Sequence, residues 1–159
     1  YFRINNGYTL MELLGGLSIV SIIFSVGFAG YRDFSRRQAL TGVSKQLKSD
    51  LRLAQQLALT GQKPDGVACD TLNGYTFNRI NSNEYSLVAN CTNGGVTLTS
   101  PEYKRVDLGD DITLTATVSS FQFKSLGQGT NLSAANTLTL THISGNVSVL
   151  NVGVGGDIK

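Results

Sequence analysis

Three sets of residues in this chain have types and spacings that chemistry could use. The first is Glu12, the single formal charge between Leu10 and Tyr31, in a run otherwise dominated by Leu, Ile, Val, Phe, Gly, Ala and Ser. A carboxylate inside such a run costs a few kcal/mol in lipid and marks a functional position by default. Thr9-x-x-Glu12 is also a capping box, in which the Thr hydroxyl accepts from the backbone N–H three residues on and the Glu reaches back to the N–H of Thr9. The second set is Cys69 and Cys91, the only two cysteines. Two cysteines following an apolar segment favour one disulfide in an oxidising compartment, and two buried thiols are the alternative. The third is Asp107, Asp110 and Asp111 around Gly109. Oxygen ligands from one loop would suit Ca²⁺, but solvated carboxylates at a turn are the simpler reading, so neither metal nor cofactor is expected.

No catalytic constellation assembles from what remains. His142 alternates with Thr141 and Ile143 and has no Cys or carboxylate at ligand spacing, so it reads as a surface or half-buried strand residue. No Gly-rich phosphate loop is present. Of the 159 residues 15% are charged, for a net charge of +2, which leaves no acidic or basic tail to address a polyanion. Lys104, Arg105 and Lys124 read as scattered, solvated strand charges. An enzyme is not expected.

The elements that must position these residues follow from periodicity. About 20 apolar residues in helical rise cover the ~30 Å hydrocarbon core of a bilayer, and Leu10–Tyr31 is such a run. Within it Ser18, Ser21, Ser25 and Ala29 fall at spacings of three, four and four, a face of small residues that lets helices approach closely. From Arg32 to about Thr60 the helix continues as an amphipathic one. Leu40, Val43, Leu47, Leu51, Ala54, Leu57 and Ala58 form its apolar stripe, and Arg36, Arg37, Lys45, Lys48, Asp50 and Arg52 lie mostly off it. Gly61 and Pro64 stop it. A continuous helix from Thr9 to Thr60 would measure about 75 Å. The period then switches to two. Eight short strands are expected: Tyr75–Phe77, Tyr85–Ala89, Val96–Leu98, Val106–Leu108, Ile112–Val118, Phe121–Phe123, Thr137–Ile143 and Val147–Val152, all antiparallel.

The fold class is therefore α+β, a long N-terminal helix packed on an antiparallel β-sheet domain. Its parts are a leader-like segment 1–7, a transmembrane or core helix 8–31, an amphipathic spine 32–61 and a globular β domain 62–159. A secretory signal peptide cut near Gly27-Phe28-Ala29 is a poorer account, because the apolar run is too long and Glu12 is left unexplained.

Gly7-Tyr8-Thr9-Leu10-Met11-Glu12-Leu13-Leu14 resembles the class III signal of type IV pilins and type II secretion pseudopilins. Ser49–Thr60 resembles the spine helix of H-type minor pseudopilins. Phe121-Gln122-Phe123, Gly127 and Thr137-Leu138-Thr139-Leu140 resemble their C-terminal half. The resemblance implies a pilin-like fold and cleavage by a prepilin peptidase between Gly7 and Tyr8. Glu12 would then pair with the Tyr8 α-amine of a neighbouring subunit, with Thr9 and the small face Ser18, Ser21, Ser25 and Ala29 taking part in assembly. Uncleaved, Tyr8 has no such amine to offer. Many major pilins carry a helix-breaking Pro near position 29, and this chain has none.

The function implied is a structural subunit of a filament, its partners being copies of itself or other pilins. Before assembly it would lie in the cytoplasmic (inner) membrane as a single-pass protein with the domain outside, and afterwards in a periplasmic or extracellular filament. Arg32, Arg36 and Arg37 follow the apolar run while only Arg3 precedes it, so the positive-inside rule alone would put the domain in the cytoplasm. The cysteine pair and the resemblance place it outside, and that reading is adopted. Two alternatives stand beside it: a binding module at a filament tip, for DNA or a surface ligand, and a membrane-anchored β domain that never assembles. Some relatives in uptake pili bind DNA through a C-terminal Gly-Arg-x-Arg. The matching place, Gly156-Asp157-Ile158-Lys159, carries Asp and Lys where they carry Arg, so nucleic acid is not an expected partner.

Overall fold

The computed structural model of the chain describes residues 9–66 and 68–159, with the side chains of 26, 27, 29 and 98–101 left aside. The leader-like segment 1–7, the Gly7–Tyr8 processing bond and the side chain of Ala29 lie outside the described residues. Helix α1 spans Leu10–Thr60, and the chain divides after Gln38 into two compact units.

Both ends of α1 are explained by its sequence. Thr9 caps the start, with Glu12 N donating to Thr9 Oγ1 at 3.3 Å. At the other end Gly61 adopts φ +65°, a left-handed conformation that glycine enters without a Cβ clash. Its N–H donates to Ala58 O at 3.2 Å and that of Gln62 to Leu57 O at 3.1 Å, the paired bonds of a Schellman motif.

In the second unit, the α1 stripe Leu40, Leu47, Leu51, Ala54, Leu57 and Ala58 is buried and Val43 packs against the core. These are the positions that the three-and-four spacing predicts. Asp50 is a correction. Expected on the solvated side, it is only 4% exposed. It lies three residues after Leu47 and four before Ala54, which puts it on the buried face.

Among the described residues seven strands build the domain: β1 Thr71–Arg79, β2 Glu84–Asn93, β3 Val96–Asp107, β4 Ile112–Ala116, β5 Ser120–Lys124, β6 Asn136–His142 and β7 Val147–Val152. They form two antiparallel sheets, ordered β3-β2-β1-β5 and β4-β6-β7. The two short strands expected at Val96–Leu98 and Val106–Leu108 are the ends of one strand. Pro101 sits between them, which an edge strand tolerates because its missing N–H need not pair. Register shifts opposite Leu87, Val88 and Asn90 absorb the extra residues of β3. One buried cluster joins the helix to both sheets through side chains such as Leu51, Tyr75, Phe77, Leu114, Phe121 and Leu138. The architecture is thus α+β, a helix packed against an antiparallel β domain.

Cys69 and Cys91 form the disulfide, with Cα atoms 5.3 Å apart, tying the segment before β1 to β2. His142 is more buried than expected, at 5% exposure. The strict alternation of β6 turns Asn136, Leu138, Leu140 and His142 inward and the threonines between them outward. The imidazole Nδ1 accepts from Ser144 N at 3.0 Å and lies 2.8 Å from Ser144 Oγ.

Candidate functional site

The first unit contains the part of the molecule that its own fold does not use. Its helix has a stretch long and apolar enough to cross a bilayer, and none of that stretch is buried within the chain. Leu10, Leu14, Leu17, Ile22, Phe24 and Phe28 all point outward, Phe24 at 75% exposure. A helix apolar on every side buries itself in lipid or against other helices. Gly15, Gly16 and Gly30 add to this surface, since a Cβ at any of them would meet no atom within 4 Å.

Two of the residues singled out for assembly meet at the helix start, where Thr9 caps the N–H of Glu12. Among the described residues the Glu12 carboxylate has no ion-pair partner. It borders a shallow groove lined by Leu13, Gly16, Leu17 and Val20. Its position in the first turn suits a negative charge, which the helix dipole favours. The hydroxyls of the small face are satisfied inside the helix. Ser18 Oγ donates to Gly15 O, Ser21 Oγ to Leu17 O and Ser25 Oγ to Ser21 O, each at 2.8 Å. That back-bonding removes the cost of carrying hydroxyls into an apolar medium and leaves a face of low profile.

At the far end of the apolar run, aromatic and basic side chains alternate. Phe28, Tyr31 and Phe34 are exposed, and the Arg32 guanidinium carbon lies 5.9 Å from the Phe28 ring centroid. Arg37 Nε pairs with Asp33 at 3.1 Å one turn on.

The second unit carries a polar cluster that sequence reasoning passed over. Asp50 Oδ2 accepts from the Tyr85 hydroxyl at 2.7 Å, and Lys104 Nζ lies 2.6 Å from Asp50 Oδ1. Lys104 is thus tied to the helix while its side chain stays partly solvated. Lys104 pairs with Leu87 in unbroken register two residues before buried Val106, so the alternation of β3 sets it on the inward face. Burial, followed by the Asp50 hydrogen bond and charge, pushes the Tyr85 hydroxyl far above the usual tyrosine range. Tyr75 is also raised, chiefly by burial, and its hydroxyl donates to Gln62 O at 2.8 Å. Ser44 with Ser148, and Gln55 with Gly156 O, are further side-chain ties from α1 to the β domain. The signal for this cluster lay in the spacing of Asp50 relative to Leu47 and Ala54 and in the alternation of Lys104 with Val106.

The remaining candidates are structural in their contacts. Asp107 Oδ1 accepts from Gly109 N at 2.8 Å, closing a turn. Among the described residues no group of three His, Cys, Asp or Glu is placed to hold a metal ion. Arg105 pairs with Glu84 at 2.9 Å. At the C-terminus Lys159 pairs with Asp157 at 3.3 Å, and its backbone exchanges two hydrogen bonds with Asn151 of β7. Comparison with protein-family models, with curated proteins and with solved structures finds no match to this chain.

Proposed function

We propose that this chain is a structural subunit of a type IV filament, of pilin or type II secretion pseudopilin kind, that assembles through its N-terminal helix. The observation that carries the reading is the fully exposed apolar helix with one carboxylate in its first turn, attached to a domain whose own core is complete without it. Such a surface calls for burial outside the chain. Lipid supplies it in storage, and the helices of neighbouring subunits supply it in a filament. The signal-like residues Gly7 to Leu14 support the choice of filament over a permanent anchor. Glu12 is the specificity element, because a lone carboxylate in an apolar helix bundle tolerates few registers and favours the one that neutralises it. The work of drawing the helix out of lipid comes from a separate motor.

Substituting Glu12→Ala separates this reading from a non-assembling anchor. The variant should insert in the membrane at the parental level, while its amount in the sheared filament fraction falls by about tenfold or more, as expected from losing a neutralised carboxylate worth a few kcal/mol. Mass spectrometry of that fraction should find chains that begin at Tyr8. If the parent chain and Glu12→Ala are both confined to the membrane fraction and absent from sheared filaments, the chain is a lone membrane-anchored domain and the filament reading fails.

A further inference from the structure

Taking the membrane-stored state of the proposed function as its premise, we infer that Arg32 and Arg36 form a collar that binds the anionic headgroups of phospholipids on the membrane face nearest the β domain. The first argument is axial position. Leu10 to Tyr31 covers about 32 Å at 1.5 Å per residue, close to the ~30 Å hydrocarbon thickness. Arg32 then falls at the hydrocarbon boundary. Arg36 lies about 6 Å beyond it, within the headgroup layer, whose depth is roughly 5–8 Å per side.

The second argument is chemical. Phe28, Arg32 and Arg36 succeed one another at intervals of four and share one helix face. Exposed Tyr31 and Phe34 flank them, and tyrosine prefers the headgroup level. Arg32 packs against the Phe28 ring, which lays its aliphatic stem along the apolar surface at the hydrocarbon boundary. A guanidinium there meets phosphate oxygens with matching fork geometry. Of the other charges on this collar, Asp33 pairs with Arg37, so the pair adds little net field. Among the described residues neither Arg32 nor Arg36 has a carboxylate partner, and their charge is available to the lipid.

The test reconstitutes the full chain into phosphatidylcholine vesicles doped with spin-labelled phosphatidylglycerol or spin-labelled phosphatidylcholine. Electron spin resonance then reads the motionally restricted fraction of each label. Both labels should show a restricted fraction, with a preference for phosphatidylglycerol of up to roughly fivefold per arginine at low salt that fades as salt is raised. Arg32→Gln/Arg36→Gln should bring the ratio close to one, and Arg32→Lys/Arg36→Lys should keep most of it. Equal restriction of both labels by the parent chain, or a preference that survives the glutamine pair, overturns the collar while the span stands. The collar is equally overturned if lipid preference is absent and the arginines instead drive salt-sensitive self-association, which would assign them to an acidic surface of a second copy. No restricted fraction with either label would remove the premise itself, a result distinct from losing the preference.

Discussion

The two halves of helix α1 both carry many apolar residues, but arranged differently, and they meet opposite fates. Between Leu10 and Phe34 the leucines, isoleucines and phenylalanines are exposed on every side. Between Leu40 and Ala58 the apolar side chains form one stripe, which is buried against the sheets. Backbone conformation does not distinguish the halves; the angular distribution of apolar side chains does. A stripe can be covered from one side by the chain's own sheets. An all-round apolar surface needs surrounding, which a domain of this size cannot supply and which lipid or a ring of like helices can. The chain thus keeps its stability in one half of the helix and leaves the other half's burial to be completed elsewhere.

The same substitution placed in each half tests this division most sharply. Leu51 is fully buried and Leu17 is exposed. Leu51→Ala should lower the stability of the β domain by about 2–5 kcal/mol, the cost of lost transfer energy plus the cavity left behind. Leu17→Ala should stay within about 0.5 kcal/mol, as surface substitutions do. Urea unfolding of the full chain in mild detergent provides the comparison. Tyrosine fluorescence can report it, since the chain has no Trp and Tyr75 and Tyr85 are buried. Comparable losses from the two substitutions would mean that the N-terminal half belongs to the domain core.

A second contrast sets the two carboxylates of α1 against each other. Asp50 is held by Tyr85 and Lys104 within the chain, whereas Glu12 has no ion-pair partner among the described residues. Removing one member of a buried pair leaves its partner uncompensated, which costs about 3–5 kcal/mol where both charges are buried. The Lys104 side chain is 38% exposed and regains water easily, so Asp50→Ala should cost about 2 kcal/mol, below that range. Asp50→Leu combined with Lys104→Met should recover most of the loss, because a matched apolar pair replaces the desolvated ions. Glu12→Ala should leave the same unfolding curve unmoved. If it shifts the curve as Asp50→Ala does, the two halves are not energetically separate.

What could be read in advance divides along physical lines. The long helix, its stop at Gly61, the switch to period two, the antiparallel pairing and the cysteine bond were all legible, because each depends on local spacing or on the identity of a single residue. Asp50 was misplaced because residue type was weighed above angular position. Lys104 was misread for the same reason, since period two puts it on the face of buried Val106. The fusion of two expected strands into β3 was hidden by Pro101, whose meaning turns on whether its strand lies at the edge of a sheet, a property of topology. Of the candidate site, the apolar run and Glu12 stood out at once. The back-bonded serines and the seating of Arg32 on Phe28 are three-dimensional details of residues already in view.

The smallest effect expected is one of pH, and it belongs to the domain half alone. Tyr85 is buried and donates to a carboxylate, so ionising it would place two negative charges side by side, and its pKa is raised in the folded state. An unfolded tyrosine loses its proton near pH 10. Above that pH the folded chain therefore holds more protons than the unfolded one, and stability must fall as pH rises. Below pH 10 the contribution is complete and flat. The slope due to Tyr85 should approach about 1.4 kcal/mol per pH unit above pH 10, and Tyr75, raised chiefly by burial, steepens it in the same direction. Urea midpoints measured between pH 9 and 11 should show the decline, and Tyr85→Phe should flatten it, since phenylalanine has no proton to lose. A parent chain whose stability stays level to pH 11 would mean that the Tyr85 hydroxyl ionises as readily folded as unfolded, and the tie between Asp50 and the sheet would then be an open, hydrated contact.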